Sequence, residues 1–199
     1  MKRSNFFLRI FLSIALSLGL ASCGVNNIPR YDEQVKATWA QVENQYQRRA
    51  DLIPNLVSTV KAYATHEKDT LTAVTEARAK VGSIQAGANL LNNPQALKQF
   101  ESAQSELTGA LQRLMVVVER YPDLKANENF LALQSQLEGT ENRISVARRD
   151  YVQAVQVYNT EIRTLPGLIW HKLLYGDMPI RDTYEATSKN AEQAPQVKF

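Results

Sequence analysis

Residues 35–63 read VKATWAQVENQYQRRADLIPNLVSTVKAY. Within them Val35, Trp39, Val42, Tyr46, Arg49, Ile53, Leu56, Val60 and Tyr63 are spaced alternately four and three apart. That spacing keeps one stripe of a helix turned toward other helices. Pro54 interrupts the stretch. A proline inside a helix removes one hydrogen bond and crowds the preceding turn, costing ~3 kcal/mol. The apolar phase does not reset across it, so the pattern predicts one kinked helix from about Asp32 to Tyr63. The alternative is a break, with Asp51 capping a second helix.

The same period recurs downstream. From His66 to Ile84, one face carries Leu71, Val74, Ala77, Val81 and Ile84. A third helix is predicted with Asn93 as its cap and Pro94 at its first position, where a missing N–H costs nothing. Its face holds Leu97, Phe100, Gln104, Leu107, Leu111, Leu114, Val118 and Tyr121, and Pro122 stops it. Asn127 caps a fourth, with Phe130, Leu133, Leu137, Ile144, Tyr151, Val155, Tyr158 and Ile162 inward and Pro166-Gly167 at its end. No stretch alternates as a strand does, and 8 Gly and 7 Pro are too few for a loop-rich β fold. The fold class is therefore all-α, an elongated antiparallel four-helix bundle with a kinked long first helix. So long a seam also suits an intermolecular coiled coil, which leaves a homo-oligomer open.

Upstream of the seam the chain reads as an address. Lys2, Arg3 and Arg9 form a basic head, and Ile10 to Ala21 is an apolar run. At ~1.5 Å per residue it falls short of the ~30 Å hydrocarbon core, so a secretory signal fits better than a span. Leu20-Ala21-Ser22-Cys23 resembles the lipobox of bacterial lipoproteins. That resemblance implies cleavage before Cys23, a thioether lipid on its sulfur and acylation, as by palmitate, of the new amino terminus. Several acyl chains anchor stably where one is marginal. Gly24, in place of the Asp that often retains such proteins at an inner membrane, favours an outer membrane in a didermic organism.

Removing residues 1–22 takes three basic residues and no acidic ones. The 23 Lys and Arg fall to 20, equal to the 20 Asp and Glu. The pI near 9.0 thus belongs partly to the signal peptide, and no basic stripe with interleaved aromatics argues for nucleic acid. One Cys excludes a disulfide framework and a Cys-rich zinc site. His66-Glu67 lacks the second His four residues after the first, since Thr70 stands there, and His171 is remote. Neither a Gly-x-Ser-x-Gly elbow nor a phosphate-binding glycine loop occurs. No catalytic, cofactor-binding or metal-ligating residue is assigned, and no cofactor is expected.

Several motifs along the seam resemble the LemA family. Gln47-Arg48-Arg49-Ala50-Asp51-Leu52-Ile53-Pro54-Asn55-Leu56-Val57 is the most specific, followed in order by Tyr63-Ala64-Thr65-His66-Glu67 and Glu76-Ala77-Arg78. Tyr121-Pro122-Asp123-Leu124-Lys125-Ala126-Asn127, Ala147-Arg148-Arg149, Val157-Tyr158-Asn159 and the ending Pro195-Gln196-Val197-Lys198-Phe199 continue the likeness. The chain departs from the family pattern at Tyr31-Asp32, Tyr151-Val152 and Leu165-Pro166, and by a lipobox where the family usually has a membrane helix. The resemblance implies a membrane-tethered helical bundle facing away from the cytoplasm, and it implies no catalytic reaction.

Two features stand out as candidate sites. Arg49 falls in the apolar phase, and Gln104 and Glu141 lie near the seams of their own helices. Together they form either a polar core layer that binds a ligand or, the favoured reading, an internal layer that fixes helix register. Leu168-Ile169-Trp170-His171-Lys172-Leu173-Leu174-Tyr175 is apolar and follows a helix stop. In an up-down-up-down bundle it lies at the end where Cys23 emerges. Trp170, Leu173, Leu174 and Tyr175 there either touch the membrane interface or cap the open end of the bundle.

The expected organisation is a lipoprotein signal peptide (1–22), a lipidated tether (23–30), a helical bundle domain (31–166), an amphipathic C-terminal segment (167–184) and a flexible polar tail (185–199). The expected function is that of a non-catalytic interaction module at the bacterial cell envelope. It is held to membrane lipid through acylated Cys23 and docks an envelope protein. A self-associating protein that organises the envelope is the alternative.

Overall fold

The structure is a computed structural model and describes residues 24–87 and 90–184. The expected signal peptide (1–22), Cys23 and the expected tail (185–199) lie outside the described residues. Every regular element is helical: α1 (Asn27–Tyr63), α2 (Lys68–Gly87), a 3-10 turn (Leu90–Asn92), α3 (Pro94–Val118), the single turn α4 (Pro122–Lys125), α5 (Glu128–Arg163) and α6 (Gly167–Leu174). No strand occurs among the described residues, and the all-α class stands. Two compact units divide the chain. The first takes residues 24–37 and 153–181, and the second takes 38–152 and 182–184. Helices α1 and α5 contribute one stretch to each.

In the second unit, side-chain pairs give the helix directions. Trp39 meets Tyr151, Arg49 meets Glu141 and Tyr63 meets Asn127, so α1 and α5 run antiparallel. Glu67 meets Tyr121 and Lys80 meets Glu106, so α2 and α3 do likewise. Tyr46 packs on Phe100 while Arg49 reaches Thr108, so α1 and α3 point the same way. The predicted seam is the buried stripe. Trp39, Val42, Tyr46, Ile53, Leu56 and Val60 of α1 are all buried, as are Phe100, Leu107, Leu111 and Leu114 of α3. Near their ends the stripes loosen: Tyr63 is exposed and Ile84, Leu133 and Tyr121 are half-buried.

Helix α1 is unbroken through Pro54. Proline has no N–H, so the Ala50 carbonyl four residues earlier loses its helical donor. Arg78 of α2 takes that place, its Nε donating to the Ala50 oxygen at 2.8 Å. The caps follow the sequence. Asn93 accepts from the Ala96 N–H at 3.1 Å with Pro94 at the first helical position. Asn127 accepts from the Phe130 N–H at 3.0 Å, and its amide donates to the Tyr63 hydroxyl at 3.0 Å, tying the start of α5 to the end of α1. Helix α3 ends at Val118 rather than running to Tyr121, and α4 then buries Leu124.

In the first unit α1 begins at Asn27, so the last residues expected in the tether are helical. Gly24 precedes it with φ of 102°, a left-handed conformation that favours glycine. Asn27 donates to the Glu161 carboxylate at 3.1 Å. Gly167 opens α6 against α5 so closely that a methyl group there would lie 2.1 Å from the Glu161 carbonyl oxygen. Of the expected amphipathic segment only Gly167–Leu174 is helical. Residues 176–181 fold back irregularly. Tyr158 donates to the Pro179 carbonyl at 3.0 Å, and the Asn159 side chain pairs with both backbone groups of Arg181.

Candidate functional site

The polar layer assembles in the second unit. Arg49 is 2% exposed. Its Nη1 donates to Glu141 Oε1 at 2.7 Å and to Thr108 Oγ1 at 3.0 Å, and its Nη2 donates to the side-chain oxygen of Gln104. The guanidinium also lies 5.2 Å from the centre of the Tyr46 ring. The three residues singled out in sequence thus converge from α1, α3 and α5. They line a cleft of about 250 Å³ with Glu101, Ser105 and Arg148. Arg49 Nε and Gln104 Nε2 are buried there without an acceptor among the described residues. Glu141 remains 39% exposed, so one end of the layer is wet. This arrangement pairs a charge inside a helical seam and links side chains of three helices.

An aromatic cluster flanks the layer. Trp39 packs edge-on to Tyr151 and Phe100, and Tyr184 stacks on Trp39 with centroids 6.0 Å apart. Arg148 sits 4.1 Å from the Tyr184 ring centre. Burial pushes the Tyr184 hydroxyl far above its ordinary value of 10.0, and the hydroxyls of Tyr46 and Tyr158 rise for the same leading reason. Tyr184 was hidden from periodicity because it lies in an irregular segment.

A second buried charge lies in the first unit. Arg181 Nη2 donates to Asp32 Oδ1 at 2.7 Å, and Lys36 Nζ reaches Asp32 Oδ2 at 2.9 Å. Burial alone would raise the Asp32 carboxyl. The hydrogen bonds and charges of Arg181 and Lys36 together outweigh it, and the carboxyl ends below its ordinary 3.8. The partners are 149 residues apart, beyond any local pattern.

The segment expected at the membrane or at the bundle end divides by face. Leu173 is 70% exposed, Leu174 58% and Ile169 48%, and Leu165 just before the helix is 72%. Trp170 and Tyr175 are half-buried, and His171 Nε2 bonds the Met178 carbonyl oxygen at 2.8 Å. Ile169 and Leu165 were not singled out in sequence, although Ile169 lies four residues before Leu173 on the same helix. Gly24 sits at the root of this element, since a methyl group on it would lie 3.7 Å from Pro166 and 3.9 Å from the Glu161 carboxylate. Among the described residues no helix is long and apolar enough to cross a membrane. No group of three or more His, Cys, Asp or Glu there is placed to hold a metal ion.

Comparison with known proteins gives a consistent relationship. A model of the LemA family matches residues 38–199. Magnetosome protein MamQ 2 of Paramagnetospirillum magneticum is 27% identical over 180 residues, covering 82% of this chain and 65% of that protein. Protein LemA of Metamycoplasma hominis is 24% identical over 159 residues, covering 80% of this chain and 68% of that one. Magnetosome protein MamQ of Magnetospirillum gryphiswaldense is 26% identical, and the chain spans 55% of its length.

Proposed function

The chain belongs to the LemA family, and we propose that it is a lipid-anchored, non-catalytic helical module of the bacterial cell envelope that docks a protein partner. The observation that carries this reading is the junction at Gly24. The residue bonded to the lipobox cysteine already adopts a turn, and α1 starts three residues later at Asn27, pinned to Glu161. Acyl chains on Cys23 would therefore hold the helices against the bilayer with no spacer between. The apolar leader with its basic head supports export, and Gly24 favours an outer membrane in a didermic organism.

The places of the perturbed groups support a non-catalytic role. Asp32 is spent on Arg181 and Lys36, the Tyr121 hydroxyl is raised chiefly by its hydrogen bond to Glu67, and the other shifted tyrosines are packed in cores. Each serves a helix contact, unlike the convergent acids and bases of a reaction centre.

Feeding cells an alkynyl palmitate and crosslinking them intact tests both parts. The wild-type chain should take up the fatty acid and crosslink to a distinct envelope protein, and Cys23→Ala should take up none. Label on neither chain would refute the anchor. Crosslinks only between copies would replace the docking module with the self-associating structural protein.

A further inference from the structure

We propose that the outward face of α6, continued by Leu165, is a membrane-docking surface lying among the lipid headgroups beside the anchor. The inference rests on the lipid-anchored reading above for the identity of the bilayer, and it names the surface that meets it.

Three observations converge. The first is the face itself. Ile169 and Leu173 lie about one turn apart on α6, Leu174 adjoins Leu173, and Leu165 stands in the turn just before the helix, all exposed. Scattered exposed aliphatic residues are ordinary, but three of them within one eight-residue helix, with a fourth just before it, mark an interaction surface. The second is its place. Gly24 lies against Pro166, the residue before α6. Gly24 is the first of the described residues, so the chain enters the first unit at the root of this helix. An acylated Cys23 thus brings the bilayer beside α6, and tethering raises the local concentration of lipid over that of any free protein.

The third is size and charge. Helix α6 has eight residues, about 12 Å at the usual rise, far short of the ~30 Å needed to cross. A helix this short and one-sided lies in the interface, with its apolar face among the upper acyl carbons. Between residues 162 and 180 the exposed cations Arg163 and Lys172 face one exposed carboxylate, Asp177, a balance that suits anionic headgroups. Trp170 and Tyr175, half-buried at the flank, are residue types that favour this depth.

The test uses the full chain, expressed with its own N-terminus, purified from membranes and reconstituted into vesicles of phosphatidylethanolamine and phosphatidylglycerol. Ile169→Cys and Leu173→Cys each carry a fluorophore. Glu33→Cys, at a side chain 72% exposed on α1, is the comparison site. Quenching by nitroxide lipids should be severalfold stronger at positions 169 and 173 than at 33, and quenching by aqueous iodide severalfold weaker. Equal access to iodide at all three overturns the proposal. So does a label shielded from iodide yet untouched by nitroxide lipids, which means protein, a second copy or a partner, covers the face. The mass of the N-terminal peptide in the same sample separates the two claims. Acylated Cys23 with an aqueous α6 refutes docking alone. If Cys23 is bare the anchor fails, and the Cys23→Ser form of each labelled variant, added to preformed vesicles, decides docking by itself. All three labelled positions are exposed, and unchanged circular-dichroism melting verifies that the helices persist.

Discussion

The contact between Arg78 and the Ala50 carbonyl makes a prediction about how α1 tolerates its proline. Arg78→Met keeps most of the side-chain stem but strands the carbonyl that Pro54 leaves without a donor. A hydrogen bond involving a charged group contributes ~1.5–3 kcal/mol. This one is only part-buried, so the loss should fall near the lower end, about 1.5–2 kcal/mol. Pro54→Ala supplies an N–H to the same carbonyl and removes the crowding of the ring, with a gain of up to ~3 kcal/mol. In that background the Arg78 bond is redundant, and Arg78→Met should cost only about 0.5 kcal/mol. The two sites are therefore coupled by about 1 kcal/mol, above the ~0.3–0.5 kcal/mol by which independent sites deviate from additivity. Urea unfolding of the wild type, both single variants and the double variant, followed by circular dichroism, measures this. Equal costs of Arg78→Met in the two backgrounds would show that Arg78 does not replace the donor lost at Pro54, as would a free loss of Arg78.

Further outcomes follow from the same contacts. Arg49→Met strands the buried Gln104 oxygen while Glu141 rehydrates at its exposed end, so urea unfolding should show a loss of about 2–3 kcal/mol, with Gln104→Leu added to it restoring about 1. Because the Asp32 carboxyl is held below 3.8, its contribution is present above that pH and lost as pH falls through the lowered value. Asp32→Asn should flatten the stability profile measured by thermal melting in that acid window. At the other end Tyr184, Tyr46 and Tyr158 are raised above 10.0, so stability should fall as pH climbs past 10 and the unfolded chain ionises first. Gly167→Ala should destabilise, because its methyl would overlap the Glu161 carbonyl. Gly139→Ala in α5, with open space around it, should stabilise by ~0.5–1 kcal/mol in the same melting assay.

Much of this architecture was legible because helix packing is written locally. Alternating steps of three and four residues marked the buried stripes of α1 and α3, and Asn93-Pro94 and Asn127 marked where helices begin. Arg49 announced its buried layer by breaking the apolar phase, and Gln104 and Glu141 do meet it. What periodicity missed was long-range or irregular. Asp32 looked like a helix start, yet it sits inside α1 and is buried because Arg181 returns to it from the far end of the chain. Tyr184 fills an aromatic cluster from a segment with no period at all. The tolerance of Pro54 needed Arg78, whose role depends on the placement of α2 against α1. On α6 the composition marked an apolar segment, but only the structure separates outward Leu173 and Leu174 from half-buried Trp170 and Tyr175.

The proposed lipid-anchored, non-catalytic module depends on Cys23 being the first residue left after export. Mass spectrometry of the N-terminal peptide from protein extracted out of membranes reads it directly. A lipid anchor predicts a peptide that starts at Cys23 and carries a thioether lipid on sulfur with a further acyl chain on its amine. A peptide that retains residues before Cys23, or a Cys23 thiol free of lipid, would contradict it.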